Sequence, residues 1–179
     1  MAGKKLANSV AEHKKHAGIS ANVAVITLST SRARKTDLSP DKSGDVIQQL
    51  LEANGHKVIV RKLIPDNRTL LRAAVRELIK NKNVQAIITT GGTGLTPTDV
   101  TIEAVKDMLD KELPGFNALF MFLSYPQVKS AAMLSRALAG TIKGRILFCL
   151  PGSPRACQLA TESLIVPELG HILHMISGK

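Results

Sequence analysis

The run Gly91-Gly92-Thr93-Gly94 is the first place in this chain where residue type and spacing could do chemistry. It follows an apolar stretch, Val84–Thr90 (VQAIITT), and leads through Leu-Thr-Pro-Thr into a helical pattern. Glycines at such a turn allow positive φ and let backbone N–H groups come close to an oxyanion. The loop has neither the Gly-Lys-Ser/Thr of a P-loop nor the Gly-x-Gly-x-x-Gly of a dinucleotide site. On these residues alone it is either an anion or nucleotide cradle or a tight structural connection.

Two acids lie nearby in the pattern. Asp99 follows the glycine loop at an expected helix start, and Asp66, in Ile-Pro-Asp-Asn, precedes another. Either can serve as a helix cap or first-turn acid. If both stand on one sheet edge, they can also share a Mg²⁺, which takes one or two carboxylates and completes its shell with substrate phosphates. Pro151-Gly152-Ser153-Pro154 reads as a helix entry with Ser153 as cap and Pro154 in the first turn. A helix start beside strand ends is also a place where phosphate binds, and Lys143, Arg145 and Arg155 are expected to flank it, the alternative for Arg145 being that it faces solvent at the strand start. The pairs His13/His16 and His171/His174 have i,i+3 spacing but supply only two metal ligands each. Cys149 and Cys157 have no Cys-x-x-Cys spacing and read as packing residues.

These loops need elements to hold them. Asn22–Thr30 (NVAVITLST), Lys57–Ile64 (KVIVRKLI), Val84–Thr90 and Arg145–Leu150 (RILFCL) are strand-like. Helical spacing of apolar residues marks 43–54, 67–80, 100–109 and 155–165, with a mixed apolar segment from Phe116 to Tyr125 that reads as a helix face meeting core or a partner subunit. Strand alternating with helix at this pitch predicts an α/β fold: a three-layer, doubly wound, mainly parallel sheet with helices on both faces. Residues 1–20 read as a flexible basic arm and 21–179 as one domain. In such a sheet ligands bind beyond the carboxyl ends of the strands, where all the loops above should meet.

Composition narrows the ligand. The 179 residues include 24 Lys+Arg against 14 Asp+Glu, a net charge of +10. That balance points to an anionic partner: nucleic acid, an acidic membrane surface or a small polyanion. The chain has no Trp, and its five Phe and Tyr fall between Phe116 and Phe148, a poor platform for single strands. Four lysines against one glutamate put +3 in the arm. From Leu113 to Thr161 there is no acid, while Lys129, Arg136, Lys143, Arg145 and Arg155 all occur. No apolar run is long enough to cross a membrane, and two cysteines with no signal-like start point to the cytoplasm.

The ordered set Asp41-Lys-Ser-Gly44, Ile64-Pro-Asp66, Thr90-Gly-Gly-Thr-Gly94, Asp99-Val-Thr101, Leu113-Pro-Gly-Phe116, Leu134-Ser-Arg136 and Leu150-Pro-Gly-Ser-Pro154 resembles the molybdopterin adenylyltransferase family. These are the MoaB/MogA-type proteins, related to the G domains of animal gephyrin and its plant counterpart. The likeness runs from about Asn22 to Leu173. Gly91–Leu95, Ser135–Gly140 and Pro-Gly-Ser with its downstream Ala-Cys look closest to the MoaB branch.

The resemblance implies a role in molybdenum or tungsten cofactor biosynthesis. AMP passes from ATP to the terminal phosphate of molybdopterin, with Mg²⁺ present, and pyrophosphate leaves. The family's two functional aspartates map onto Asp66 and Asp99, which would act in catalysis and hold Mg²⁺. Some MoaB-type members lack the first acid and look inactive, so both acids here favour an enzyme. Where some relatives have Arg before the second acid, this chain has Thr98. Gly91, Gly92, Thr93, Gly94, Pro151, Gly152 and Ser153 would contact nucleotide and phosphate, with Ser29, Asp41 and Ser43 on the pterin side. A non-catalytic molybdopterin-binding scaffold is the alternative. The family further implies a homo-oligomer, trimeric or paired into hexamers, a downstream metal-insertion protein as partner, and no nucleic acid or membrane.

Overall fold

The computed structural model describes residues 19–34 and 39–178. The expected basic arm, apart from residues 19 and 20, and the pair His13/His16 therefore lie outside the described residues.

Six strands form one sheet: β1 (Asn22–Leu28), β2 (Lys57–Ile64), β3 (Ala86–Thr90), β4 (Lys111–Glu112), β5 (Leu138–Ile142) and β6 (Arg145–Leu150). Their order is β2-β1-β3-β6-β5-β4. The first four in that order run parallel, and β5 and β4 are added antiparallel. Because β1 runs out to β2 on one side while β3 lies on the other, the topological switch point falls between β1 and β3. That is the crevice where the loops after β1 and β3 separate.

The apolar run of β1 is buried on both faces because successive side chains enter different cores. Val23 and Val25 pack toward α2 (Lys42–Ala53), α5 (Pro114–Val128), α6 (Pro154–Ala160) and α7 (Val166–Ser177). Ala24, Ile26 and Leu28 pack toward α3 (Arg68–Lys80) and α4 (Thr101–Val105). A short α1 (Thr30–Ala33) leaves β1 directly. The expected three-layer α/β fold is present, with helices on both faces. β2 alternates exposed and half-buried residues, as suits an edge strand, and exposes Lys57 and Arg61.

Several local expectations are corrected. The third strand begins at Ala86 rather than Val84. The helix expected over 100–109 stops at Val105 and tightens into a 3₁₀ turn, Lys106–Met108, because Asp110 must donate its amide to Thr141 O (2.8 Å) to bring β4 to the sheet. The antiparallel strands β4 and β5 were not expected at all. Lys143 (φ 46°) and Gly144 (φ 76°) form the two-residue turn between β5 and β6, with the left-handed pair that matches strand twist. Phe116 and Phe120 both point inward; Phe120 is only 1% exposed, so of the two readings of this face, core or partner subunit, core holds for these two residues. Leu119, Phe122 and Tyr125 form the outward side of α5.

Between α6 and α7 the chain passes through one π-helical turn, Thr161–Ile165, in which Val166 N donates to Thr161 O. Pro167 explains it: the ring lacks an N–H and would crowd the carbonyl four residues back, so the turn widens instead of breaking. No helix among the described residues is long and apolar enough to cross a membrane.

His56 sits buried at the start of β2, and its Nδ1 accepts the amide of Ala21 at 3.2 Å. Burial holds its pKa below the ordinary 6.5. The unfolded chain therefore takes up this proton more readily, and stability should fall as pH drops from about 6.5 toward the folded value. Denaturant midpoints at pH 7.5 and 5.5 should show that loss, and His56→Gln should reduce it. An equal loss in the variant would refute the assignment.

Candidate functional site

Four strand ends carry the chemistry-bearing loops to one edge of the sheet. The backbone ladder first extends beyond the strands themselves: Ser29 N donates to Ile64 O (2.9 Å) and Gly91 N to Leu150 O (3.1 Å). Gly91, at φ 96°, lies so close to β1 that a Cβ there would overlap Leu28 O. Gly152 faces it, and a Cβ on Gly152 would stand 3.2 Å from Gly91 Cα. Thr90 Oγ1 donates to Pro151 O (2.9 Å), and Ser43 Oγ, at the start of α2, donates to Gly152 O (2.7 Å). The glycine loop and the Pro-Gly-Ser-Pro loop are thus one backbone-to-backbone unit.

Thr101 fixes the far side of the glycine loop. Its Oγ1 donates to Gly91 O and its N–H to Gly92 O, both at 2.8 Å. Thr93 is buried, while Gly92 and Gly94 are half-buried.

The two aspartates stand at opposite ends of this loop. Asp66 does not cap α3; Asn67 does, its side chain accepting from Leu70 N. One oxygen of Asp66, Oδ2, instead accepts from Thr30 N (2.9 Å) and Thr30 Oγ1 (2.8 Å), which ties the end of β2 to α1. Its other oxygen faces Gly92, 3.0 Å from where a Cβ would be. Asp99 does not cap α4 either, because Val100 occupies that position without a side-chain bond. Asp99 Oδ2 turns back to accept from Thr96 N (2.9 Å) and Thr96 Oγ1 (2.6 Å), and it lies 2.7 Å from the Cβ position of Gly94. The Thr96 hydroxyl, helped by loop amides and by the charge of Arg136, holds its carboxyl below the usual range.

The other expected residues meet at the same edge in different capacities. Asp41 is no exposed turn acid. It caps α2 through Gly44 N (3.1 Å), accepts from Thr27 Oγ1 (2.5 Å), and pairs with Arg61 (2.7 Å) and Arg32 (3.5 Å). Burial pushes its carboxyl pKa up, but the bonds from Thr27, Gly44 and Arg61 outweigh this and leave it lowered. Asp41 and Ser43 therefore spend their side chains on scaffolding. Ser29 stays half-buried with its hydroxyl 3.4 Å from Ser31 Oγ. Ser153 caps α6, accepting from Ala156 N at 3.2 Å, as the sequence pattern predicts.

The expected basic flank is corrected. Lys143 and Arg145 open β6, whereas the Pro-Gly-Ser-Pro loop closes it, and a six-residue strand at about 3.3 Å per residue puts them roughly 17 Å apart. Arg145 donates to Lys143 O and Asn81 O at that far edge. Arg155, whose Nε donates to Gln127 Oε1 (2.9 Å), stays beside Ser153. Arg136 reaches the site from elsewhere, donating to Gly94 O (3.3 Å). Thr30 and Thr101 were not among the expected site residues, whereas Arg136 is one of the five basic residues of the acid-free stretch and does reach the loop.

Two carboxylates, each with one oxygen pinned by a threonine, offer hard donors suited to a cation that also binds ligand phosphates. No group of three or more His, Cys, Asp or Glu side chains placed to hold a metal ion occurs among the described residues, and His171 is engaged with Glu168 at 3.1 Å. Cys149 and Cys157 are buried thiols pushed up to about 12 and about 11.

Comparison with known proteins adds to this geometry. A family profile described as "Probable molybdopterin binding domain" matches residues 24–171. The chain is 44% identical to "Molybdenum cofactor biosynthesis protein B" of Bacillus cereus, over 92% of this chain and 95% of that one. It is 43% identical to the "Probable molybdopterin adenylyltransferase" of Methanocaldococcus jannaschii, over 87% and 94%. Among solved structures, a crystal structure of molybdenum cofactor biosynthesis protein B superposes with a TM-score of 0.83 at 41% identity, covering 90% and 98%. The tungsten cofactor synthesizing protein MoaB of Pyrococcus furiosus gives 0.80 at 37%, covering 88% and 97%.

The loop geometry separates two glycines. Gly92→Ala puts a Cβ 2.6 Å from Thr101 Oγ1 at φ 62°, and the left-handed backbone alone should cost about 1–2 kcal/mol. Gly94→Ala has no positive φ and meets only the end of Asp99. Urea denaturation should show the larger loss for Gly92→Ala. Equal losses would contradict this geometry.

Proposed function

The chain belongs to the molybdopterin-binding domain family, and on that premise we propose that it is a molybdopterin adenylyltransferase of molybdenum or tungsten cofactor biosynthesis. The observation that carries this reading is the pair of aspartates at the two ends of the glycine loop, Asp66 against Gly92 and Asp99 against Gly94. In the proposed reaction, an oxygen of the pterin's terminal phosphate forms a bond to the α-phosphorus of ATP. The bond from that phosphorus to the β-phosphate oxygen breaks, and pyrophosphate leaves with the electron pair.

A phosphate nucleophile is already ionised at neutral pH, so the chain needs no general base. Its work is positioning and charge balance. Asp66 and Asp99 are the residues that would hold Mg²⁺, and the ion would supply neutralisation of triphosphate charge. Thr30 and Thr96 aim those carboxylates by occupying one oxygen of each. Gly91 spends its amide on Leu150 O and shapes the loop, the amides of residues 92–94 approach the nucleotide, and Ser153 with Arg155 receives a phosphate beside α6. Ser29 is the hydroxyl best placed on the pterin side, while Asp41 and Ser43 support that wall by holding α2 and Gly152.

Incubation with molybdopterin, ATP and Mg²⁺ should yield adenylylated pterin and pyrophosphate. Asp66→Asn and Asp99→Asn should each lower the rate at least about a hundredfold, with circular dichroism unchanged. Undiminished transfer in both folded variants would sink the assignment. We also propose that the protein is cytoplasmic and that the chain assembles with copies of itself, through the outward side of α5. Phe122→Asp should shift its sedimentation toward smaller species, and an unchanged assembly would rule that face out.

A further inference from the structure

The segment from Gly91 to Asp99 contains no basic residue, yet it stands among three acids, Asp66, Asp99 and Glu103. A polyphosphate placed on this loop meets like charge on several sides. Among the described residues, a side chain that brings positive charge to the loop is Arg136, two residues ahead of β5. Its Nη1 donates to Gly94 O at 3.3 Å, and its Nη2 pairs with Oε1 of Glu103. Glu103 lies on α4, one turn beyond Asp99, and Arg136 and Glu103 are 30% and 47% exposed.

An ion pair that wet contributes about 0–1 kcal/mol, too little to be read as a staple. Meanwhile Arg68 Nη2 donates to the main-chain carbonyl of Glu103 (2.8 Å) and pairs with Asp107 (3.5 Å), so the backbone of α4 is held without the Glu103 side chain. The carboxylate can leave Arg136 while the loop keeps its shape. Arg136 also lines a cavity of 280 Å³ with Ile102, Lys106 and Asn117, which leaves the guanidinium approachable without unpacking the core. Guanidinium binds phosphate in the same two-pronged manner as carboxylate, so the two compete for one partner.

We propose that Arg136 is the exchangeable cation of this site: Glu103 holds it over the Gly94 end of the loop, and a phosphate group of the nucleotide displaces Glu103 from it. This rests on the transferase reading for the identity of the nucleotide, but it concerns phosphate binding and can be read without turnover. Arg136 is a binding and positioning residue, and Glu103 is its competitor. The two substitutions should then act in opposite directions, which a structural ion pair does not do.

The test is calorimetric titration of the full chain with ATP plus Mg²⁺ and, separately, with inorganic tripolyphosphate. Arg136→Gln should weaken both by about tenfold or more, and Arg136→Lys should recover part of that. Glu103→Gln should tighten both a few-fold, and the double variant should match Arg136→Gln alone. Arg145→Gln, which removes the same charge at the far edge, should change neither. Weakening by both Glu103→Gln and Arg136→Gln would overturn the proposal, as would an unchanged Arg136→Gln or no tripolyphosphate binding to the unaltered chain. If Arg136→Gln does not fold, Glu103→Gln and Arg136→Lys decide the matter by the same signs. Tripolyphosphate binding in this variant order without adenylylated product would sink the transferase reading and leave Arg136 assigned.

Discussion

Everything at the carboxyl edge depends on how closely the backbones of β3 and β6 continue past their ends. A Cβ on Gly152 would crowd Gly91 Cα and one on Gly91 would overlap Leu28 O, and Thr90 and Ser43 bond the carbonyls of Pro151 and Gly152. That contact makes two loops, separated by some sixty residues of chain, into one floor. Without it the glycine loop would be anchored by its own strand, by Thr101 and by Arg136. With it, the glycine loop and the Pro-Gly-Ser-Pro entry to α6 stand side by side at the carboxyl edge of the sheet.

On that floor the charged groups are arranged mostly to hold one another. Asp41 is saturated by Thr27, Gly44, Arg61 and Arg32, and it fixes the start of α2. Asp66 and Asp99 each have one oxygen held by a threonine, and the Gly94 amide also bears on Asp99. The contrast sorts the acids by chemistry. An acid ringed by donors builds the wall, whereas an acid with one oxygen committed is aimed.

The fold was largely legible because its parallel strands are apolar on both faces and its helices carry strong periodicity, as in β1 and α3. The antiparallel addition was missed because β4 is two residues long, and β5 (LAGTI) carries Gly and Ala where a pattern needs larger apolar side chains. The loops of the site were legible because glycine and proline punctuate strand ends. What those loops bond to was not: Thr30 holds Asp66 from 36 residues away and Arg136 reaches Gly94 from 42, and no local signal encodes either contact. Charge was misleading for the same reason. Lys143 and Arg145 are near the Pro-Gly-Ser-Pro loop in sequence, but a whole strand separates them from it in space.

The buried thiol of Cys157 lies between the two loops that make the floor, 3.1 Å from Thr90 Oγ1 and 3.2 Å from Pro151 O. Burial pushes its pKa up to about 11, so at neutral pH it stands as the unreactive, shielded thiol. An alkylating reagent therefore reacts only when the packing of α6 against these two loops opens. The chain thus carries its own chemical clock for breathing of the floor, slowed by whatever ligand bridges the loops and needing no engineered label.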